Sequence, residues 1–333
     1  MAKPKSDYAI VLSCNPAYGF GMISCMNAQN YFKTNADWEV AYEHFTDMDR
    51  EKISAAFPFN VNWTSISELM TAVVDKRTDQ KQALEKYWLA YWLLAYKLLK
   101  EKKYKAVCVI QADAFYFVNL DVYFKIAEAG FLVCAEHSFT YKNAEDLEFG
   151  DDRAIWDRSQ CAIFDSINFI GQQYTELPMD IVHYQEEDSF RREANHSVVA
   201  LNRAVCKHGN RNKILGLDRR LWVCDAIWND ARLKTNLEKD KVYNDLGLPL
   251  KGWHCRWWQK GRTEGEWLNN KARLIEAKKI GDKDLLNGFV IQEHNYNLVR
   301  DFMLRFNDMT PEVRSDEYLH GVIRRPRWEN GEV

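Results

Sequence analysis

The sequence predicts a mixed α/β protein with a largely parallel central sheet. Unbroken apolar runs of strand length, such as YAIVLSC at Tyr8–Cys14 and AVCVI at Ala106–Ile110, alternate with segments whose apolar residues have helical spacing. This alternation is typical of parallel sheets whose two faces are both covered by helices. With 333 residues, of which 47% are hydrophobic, the chain can bury the large core that such a sheet requires.

The first half of the chain predicts the elements of this sheet in order. The strand at Tyr8–Cys14 ends in the turn-forming NPAYGFG, and a helix follows at 22–33 because apolar residues recur there with helical spacing. We expect a strand at 38–45, a short helix at 49–56 and a long amphipathic helix at about 79–102, which leads into the strand Ala106–Ile110. The next helix begins at Asn119 or Leu120, and strands follow at 131–136 and 160–170.

Helices dominate the predicted second half. We expect them at 178–192, 195–207, 218–233, 267–280 and 297–307, with a strand at 289–294. No repeat, low-complexity tract or Pro/Gly-rich linker interrupts the chain, so one continuous domain is the simplest interpretation.

Composition disfavours several functional classes. A polar opening precedes the first strand, and the longest apolar run, 87–99, is shorter than the roughly 20 residues that cross a bilayer, so we expect a cytoplasmic protein without a membrane partner. The eight cysteines form no CxxC pair, and most lie in apolar runs, which indicates buried reduced thiols. The sequence contains no GxxxxGKS/T, GxSxG or zinc-type Cys/His spacing, and no GxGxxG follows a strand.

Charge gives no general attraction to nucleic acid, because the net charge is −3. Arg and Lys nevertheless cluster in KHGNRNK, LDRRL, CRWWQKGR and VIRRPRW. A local basic face is therefore one interpretation of these clusters, and a solvated surface balanced by nearby acids is the other.

Polar residues follow two of the predicted strands at the point where each strand ends. Asn15 and Tyr18 come after the first strand, and Gln111 and Asp113 come after the strand Ala106–Ile110. Ligands of open α/β sheets bind at the carboxyl ends of the strands. We therefore expect these four side chains to face one crevice.

One segment at this edge of the sheet resembles a known family. QADAFYFVNLDVYF is similar to the DADxxxxxNxDxLF segment of the glycogenin-like A-type glycosyltransferases, and Asp113, Asn119, Asp121 and Phe124 match it position for position. The resemblance implies the A-type glycosyltransferase fold, a nucleotide-sugar donor such as a UDP-linked hexose, and retention of the anomeric configuration.

Two further segments resemble the same family, so that the resemblance covers roughly the first half of the chain. YAIVLSCNPAYGFG is similar to the family's first strand and loop, which implies that Tyr18 stacks on the nucleotide base and that Asn15 lies in the same binding site. CAIFDSINF resembles the strand that lines the donor sugar, with Asp165 and Ser166 where the family has Asn and Ser. Asp165 is therefore a candidate catalytic residue.

The sequence departs from the family at its metal-binding motif. The family holds a manganese ion with Asp-x-Asp, and Gln111 replaces the first of these carboxylates. An amide offers only a neutral carbonyl, so Mn²⁺ or Mg²⁺ would bind more weakly, with Asp113 as the remaining acidic ligand. A metal-independent enzyme that neutralises the diphosphate with basic residues is the alternative.

A histidine and a lysine complete the family's site. His254 and Lys260 have the family's spacing, which implies that His254 binds the metal and that Lys260 contacts the diphosphate. His294, which follows a strand-like run, is the rival metal ligand. Lys86, on the helix before the metal-binding strand, is a further candidate for contact with the diphosphate.

Sugar transfer also needs a carboxylate near the acceptor hydroxyl or the donor sugar. Glu187 and Asp188 in HYQEEDSF are candidate catalytic residues because they lie downstream of Asp113, in the order that many A-type transferases show. A solvated helix face is the alternative interpretation of this acidic run.

Together these features predict a hexosyltransferase with a nucleotide-sugar-binding α/β core at 1–190 and a helix-rich, acceptor-side part at 191–333 that is continuous with the core. The acceptor is an intracellular protein, a glycan or a hydroxymethylated base of DNA, and the Arg and Trp clusters keep DNA open. The alternative is a catalytically degenerate protein of this fold that binds sugar nucleotides or acts as a scaffold, with Gln111 as the trace of lost metal binding.

Overall fold

A computed structural model describes the fold of residues 5–71, 85–137, 144–151, 153, 155, 160–188, 196–223, 234–236, 241–244, 247–254, 294–295 and 297–318. The strands are β1 Tyr8–Cys14, β2 Asp37–Tyr42, β3 Val61–Ser65, β4 Ala106–Ile110, β5 Ala114–Tyr116, β6 Leu132–Glu136, β7 Ile163–Gly171, β8 Ile214–Leu217, β9 Trp222–Val223, β10 Lys234–Asn236, β11 Lys241–Tyr243 and β12 Gly252–His254. The helices are α1 Gly19–Tyr31, α2 Asp47–Ala56, α3 Ile66–Met70, α4 Glu85–Lys100, α5 Asp121–Glu128, α6 Leu177–Asp188 and α7 His196–His208, and residues 297–304 are also helical.

A seven-stranded sheet forms the centre of the molecule, in the order β3-β2-β1-β4-β7-β6-β8. The strands β3, β2, β1 and β4 are parallel neighbours, and β6 is parallel to β8. Only β7 runs antiparallel to both of its neighbours, β4 and β6, within this sheet. The prediction of a mixed α/β protein with a mostly parallel sheet is confirmed.

The central strands are apolar because helices cover them. Every residue of β1, β4 and β7 is buried. Helix α4 packs against β1, β2 and β4, and α5 packs against β4, β6 and β7. Helices α6 and α7 pack on each other, α6 also packs on α4, and α7 also packs on β7. Continuous burial on both faces explains why these strands are unbroken apolar runs rather than alternating sequences.

A small second sheet, in the order β5-β12-β9, lies after the end of β4. β12 pairs antiparallel with β5 and parallel with β9. Because β9 and β12 come from the second half of the chain, this sheet brings C-terminal residues to the end of β4. The strand β8 also lies C-terminal to residue 190 and joins the central sheet beside β6.

The structure differs from the sequence analysis at several elements. The short elements α3, β10, β11 and β12 were not predicted. β3 and β8 were also not predicted, since VNWTS is a half-buried edge strand and ILGL is short and contains glycine. The helix predicted at 218–233 is wrong over residues 218–223, which form a turn followed by β9. Asp218 accepts a hydrogen bond from the amide of Arg220 at 2.9 Å, and such a local bond from an Asp side chain favours a turn over a helix. The helix predicted at 267–280 lies outside the described residues.

Two expectations about individual groups can be compared with the structure. Six cysteines, at positions 14, 25, 108, 134, 161 and 206, are buried free thiols, as predicted, and the other two lie outside the described residues. Among the helices that the structure describes, none is both long and apolar enough to cross a membrane.

Asn202 on α7 anchors the start of β7. Its side-chain Oδ1 accepts hydrogen bonds from the amides of Ala162 and Ile163, each at 3.0 Å, and the side chain is fully buried. Asn202→Ala should lower the free energy of unfolding by about 2–4 kcal/mol, because it leaves two buried amides without an acceptor. Urea unfolding measures the change, and the exposed Asn212→Ala is the control; equal effects of the two substitutions would contradict this role.

Candidate active site

The contact between Asp113 and His254 is the centre of the candidate site. Asp113 lies in the turn between β4 and β5, which the amide of Ala114 closes by donating to the carbonyl of Gln111 at 3.2 Å. The pairing of β12 with β5 puts His254 opposite Ala114. As a result, Nε2 of His254 lies 3.2 Å from Oδ1 of Asp113, although the two residues are 141 positions apart in the sequence. These are the two residues that the family resemblance assigns to one metal ion.

Both side chains of this pair are nearly buried. Asp113 is 6% exposed and His254 is 4% exposed, and the ring of Phe164 lies 5.6 Å from the imidazole. Burying two ionisable groups costs free energy that their attraction only partly offsets. Such a pair is therefore weak evidence for stability, and its position at the carboxyl end of a sheet makes it a candidate functional site.

Asp165 lies beside the same strand end. The amide of Gln111 donates to the carbonyl of Ser166 at 3.2 Å, which extends the pairing of β4 with β7. Asp165 is 2% exposed. The phenol of Tyr91 on α4 lies against this group: burial raises the pKa of Tyr91 well above its ordinary value, and the charges of Asp165 and Asp113 raise it further. The phenol therefore stays protonated and can donate a hydrogen bond.

Tyr91 is a residue of this site that the sequence analysis did not single out. It lies one helical turn after Tyr87, so both point from the same face of α4. Two tyrosines with this spacing in an apolar helix indicate a row of hydroxyl groups along one face of the helix. Because large aromatic residues on a buried helix normally belong to the core, the sequence alone does not distinguish Tyr91 from a packing residue.

A second polar group lies at the ends of β1 and β2. The side-chain amide of Asn15 donates to the hydroxyl of Tyr87 at 3.1 Å, and that hydroxyl donates to the carboxylate of Glu43. The Nζ of Lys86 lies 2.5 Å from Oε1 of the same carboxylate. Asn15 and Lys86, both predicted to bind the donor, are thus connected through Tyr87 and Glu43, which the sequence analysis missed.

The charge of Glu43 holds this second group together. Burial alone would raise the pKa of the Glu43 carboxyl, but the bonds from Lys86 and Tyr87 outweigh burial, and the pKa is lowered. The carboxylate therefore stays ionised and pairs with the ammonium of Lys86. The ammonium of Lys86 could contact a diphosphate only by bonding to the diphosphate and the Glu43 carboxylate together, or by moving away from Glu43.

Tyr18 lies in the loop that enters α1. Residues Pro16–Tyr18 form a single 3-10 turn, and the amide of Tyr18 donates to the carbonyl of Asn15 at 2.9 Å. The Tyr18 side chain is half-buried and packs against the core. The loop therefore keeps Tyr18 and Asn15 together at the end of β1, where the strand, loop and helix pattern predicted them.

The carboxylates at the end of α6, which were predicted to be catalytic, are Glu187 and Asp188. The side chain of Glu187 is 64% exposed and lies 3.4 Å from Arg203 of α7, which is the arrangement expected of a solvated helix face. For Asp188, only the backbone at the end of α6 is described.

Lys260 and the two rival metal ligands, His254 and His294, remain to be placed. Lys260 lies outside the described residues. His294 is exposed, whereas Asp113 is buried and in contact with His254. The structure therefore favours His254 over His294 as the partner of Asp113.

The chemistry of the groups at Asp113 fits a divalent cation shared with a substrate. A carboxylate oxygen, an imidazole nitrogen and the amide oxygen of Gln111 are all ligands that Mn²⁺ accepts, and Mg²⁺ prefers the oxygens. Cations of this kind are commonly held by one or two carboxylates together with phosphate oxygens of the substrate. In the described part of the chain, no group of three or more His, Cys, Asp or Glu side chains could hold a metal ion by itself.

A small cavity adjoins the imidazole of His254. It has a volume of about 10 Å³ and is lined by residues that include Ala114, Ser166, Trp222 and Trp253. This volume holds roughly one water molecule. The cavity is therefore too small to hold a nucleotide.

Comparison with known proteins gives matches only among solved structures. No family model matches the sequence, and no curated protein matches it. The glycosyltransferase GlyE of Streptococcus pneumoniae TIGR4 is similar at a TM-score of 0.43 and 9% identity, over 65% of this chain and 46% of that chain. This chain therefore spans less than half of the GlyE structure.

Two other glycosyltransferases show similar values. An active-site mutant of LgtC matches with a TM-score of 0.41 and 12% identity, over 64% of this chain and 74% of that chain. The bifunctional glycosyltransferase WbbM matches with a TM-score of 0.41 and 8% identity, over 67% of this chain and 40% of that chain. At such values, neither activity nor substrate follows from the likeness.

The lowered pKa of Glu43 predicts a pH-dependent contribution to stability. Because folding lowers this pKa below its ordinary value of 4.5, the carboxylate stabilises the fold above that value, and the stabilisation is lost as the pH falls through the lowered pKa. Glu43→Gln should cost about 1 kcal/mol at neutral pH and progressively less in acid. Urea unfolding at decreasing pH measures this difference.

The control for this prediction is Glu68→Gln, which removes an exposed carboxylate 3.4 Å from Lys97. This substitution should change the free energy of unfolding little at any pH, because exposed pairs contribute little. A Glu43→Gln difference that stays constant from neutral to acid pH would contradict the role given to the Glu43 carboxylate.

Proposed function

We propose that the protein is an A-type glycosyltransferase that moves a hexose from a nucleotide-sugar, UDP-linked in our proposal, to an acceptor. The observation that carries the proposal is the contact of Asp113 with His254, 3.2 Å apart at the carboxyl end of β4. The family resemblance implies that these two residues, 141 positions apart in the sequence, share one cation, and they are in contact at the edge of the sheet where ligands of open α/β sheets bind.

The leaving group sets the chemical requirement of this reaction. A nucleoside diphosphate carries charge that a cation must neutralise as the sugar bond breaks. In the proposal, Asp113 and His254 hold Mn²⁺ or Mg²⁺, and Gln111 contributes its amide oxygen. The metal, when bound, supplies Lewis-acid stabilisation of the diphosphate. Lys260 stays a proposed contact to the same diphosphate.

The end of β1 supports a binding site for the nucleotide base. Asn15 Oδ1 is buried and has no hydrogen-bond partner among the described residues, while its amide is already engaged by Tyr87. An unpaired buried acceptor is costly unless a ligand satisfies it. A uracil base carries an N–H donor that suits this oxygen, and the half-buried ring of Tyr18 would stack on the base.

Asp165 and Tyr91 are the groups that we propose to contact the donor sugar. Both are buried beside Gln111, and the protonated phenol complements a carboxylate and sugar hydroxyls. In this proposal they orient the sugar and exclude water around the reacting carbon. Asp188 stays a candidate for the acceptor side, and the exposure of Glu187 favours a role outside the reacting centre.

The acceptor class stays open between a protein, a glycan and DNA. The basic clusters are the reason for considering DNA as an acceptor, and those that the structure describes are partly neutralised. Lys207 lies 2.8 Å from Asp180, and Arg220 lies 2.6 Å from Asp218. The clusters CRWWQKGR and VIRRPRW lie outside the described residues. Transfer of radiolabelled hexose to a panel of these three acceptor classes separates them.

A degenerate protein that binds sugar nucleotides without turnover is the second candidate, and Gln111 favours it. Thermal stabilisation by UDP or a UDP-hexose, without transfer or donor hydrolysis at any Mn²⁺ concentration, would select this candidate over the enzyme.

Removing the charge of Asp113 tests the enzyme directly. Asp113→Asn keeps the size of the side chain but should lower Mn²⁺-dependent hydrolysis of a UDP-hexose by about a hundredfold or more, because the diphosphate loses its cation. The control Asp7→Asn removes an exposed carboxylate next to Lys105 and should leave the rate unchanged. Full activity of Asp113→Asn would exclude the proposed site.

Restoring the missing carboxylate tests the role of Gln111. Gln111→Asp should raise the affinity for Mn²⁺ on the order of tenfold, since a charged oxygen ligand replaces a neutral one. Isothermal titration with Mn²⁺ in the presence of UDP measures the change. If the same gain appears in Gln111→Asp combined with Asp113→Asn, the two positions do not share a cation.

A further inference from the structure

The residues 305–318 return from the second half of the chain to helix α1, and we call them the C-terminal strap. The strap contains the 3-10 turns Arg305–Met309 and Ser315–Tyr318, and both pack against α1. Every residue of α1 from Gly19 to Gln29 is buried. A helix that is buried on all sides needs cover from other elements, and the strap supplies part of it.

A buried network of hydrogen bonds fixes the strap on α1. The side-chain amide of Asn27 donates to Oδ1 of Asn307 at 3.3 Å, and the hydroxyl of Thr310 donates to Oδ1 of Asn27. The amide and hydroxyl of Ser315 donate to Oδ1 of Asn307 at 2.9 and 2.8 Å. Because side-chain hydrogen bonds are directional, this network sets where the residues that follow Ser315 lie.

The strap ends on the loop between β1 and α1. The ring of Tyr318 lies so close to Gly19 that a Cβ on Gly19 would be 2.9 Å from its Cγ and closer still to its Cδ1. Only glycine leaves room for this contact. Tyr318 is 5% exposed, so the ring is enclosed and not merely laid on the surface.

Tyr318 also contacts the segment between β2 and α2. Its ring centroid lies 6.5 Å from that of Phe45. Burial raises the pKa of the phenol, and the charge of Asp49 at the start of α2 raises it further. Next to Tyr318, Glu317 lies 3.6 Å from Lys52 of α2. One side chain of the strap therefore meets the loops after both β1 and β2.

We infer that Tyr318 is a positioning residue for the nucleotide: by packing between these two loops, it holds Asn15 and Tyr18 in the geometry that binds the base. The inference rests on the proposed function. Asn15 and Tyr18 lie just before Gly19, and Glu43, to which Asn15 is connected through Tyr87, lies just before Phe45. A loop that is already ordered loses less entropy on binding a ligand, so its support contributes to affinity.

A double substitution separates this role from ordinary packing. Gly19→Ala should push the Tyr318 ring out of place, and Tyr318→Ala should remove the ring and leave room for the new methyl group. Each should raise the Kd for UDP, measured by isothermal titration in the presence of Mn²⁺, by about tenfold. Combining the two should raise it no further than Tyr318→Ala alone, because both act through one contact. Tyr318→Phe, which keeps the ring, should bind UDP within about twofold of the unmodified protein.

The matched control is Phe306→Ala in the same strap. Phe306 packs 5.1 Å from Tyr31, at the other end of α1 from Gly19, and it is equally buried. This substitution should lower the melting temperature in a manner comparable to Tyr318→Ala but leave the Kd for UDP unchanged.

The outcomes are distinct. Three results would overturn this inference without affecting the proposed function. The first is an equal rise in Kd for Phe306→Ala and Tyr318→Ala, and the second is additivity of Gly19→Ala and Tyr318→Ala; either would make Tyr318 an ordinary packing residue. The third is an unchanged Kd in both Gly19→Ala and Tyr318→Ala. If the unmodified protein binds neither UDP nor a UDP-hexose, the proposed function fails and the inference fails with it.

Discussion

The pairing of β12 with β5 is the constraint on which the candidate site depends. β4 delivers Asp113 to the edge of the central sheet, but a carboxylate alone at that edge has no defined chemistry. Three residues of β12, aligned with β5 by backbone hydrogen bonds, bring His254 to it from the second half of the chain. The site therefore exists only when the small sheet is formed, and its geometry is set by backbone register more than by the preferences of the two side chains.

Helix α4 connects the two polar groups that line the strand ends. Tyr87 reaches Asn15 and Glu43 at the ends of β1 and β2, and one turn later Tyr91 reaches Asp165 beside β4. One helical turn rises about 5.4 Å, which is comparable to the distance between neighbouring strands. The helix thus aligns the proposed base-binding region with the proposed sugar-binding region along the sheet edge, and it does so with hydroxyl groups whose protons are retained by burial.

The sequence predicted best those features that local patterning determines. The strands at Tyr8–Cys14 and Ala106–Ile110 have the predicted bounds, because continuous apolar runs leave little choice. The helix predicted at 218–233 is wrong over residues 218–223, because the hydrogen bond that the Arg220 amide donates to the Asp218 carboxylate favours a turn. Spacing similar to that of the family motif indicated His254, whereas Tyr91 and Glu43 were missed because their partners are distant in sequence. The catalytic assignments of Asp165, Glu187 and Asp188 stay predictions.

The closure of α1 by the strap has a consequence for the order of synthesis. Asn307 and Thr310, which bond the buried polar side chain of Asn27 on this helix, are translated 280 and 283 residues after Asn27. Until then, an apolar surface of the helix is open to solvent, and a nascent chain in this condition is prone to aggregation and to capture by chaperones. The native packing around α1 can consequently be completed only after the strap has emerged from the ribosome.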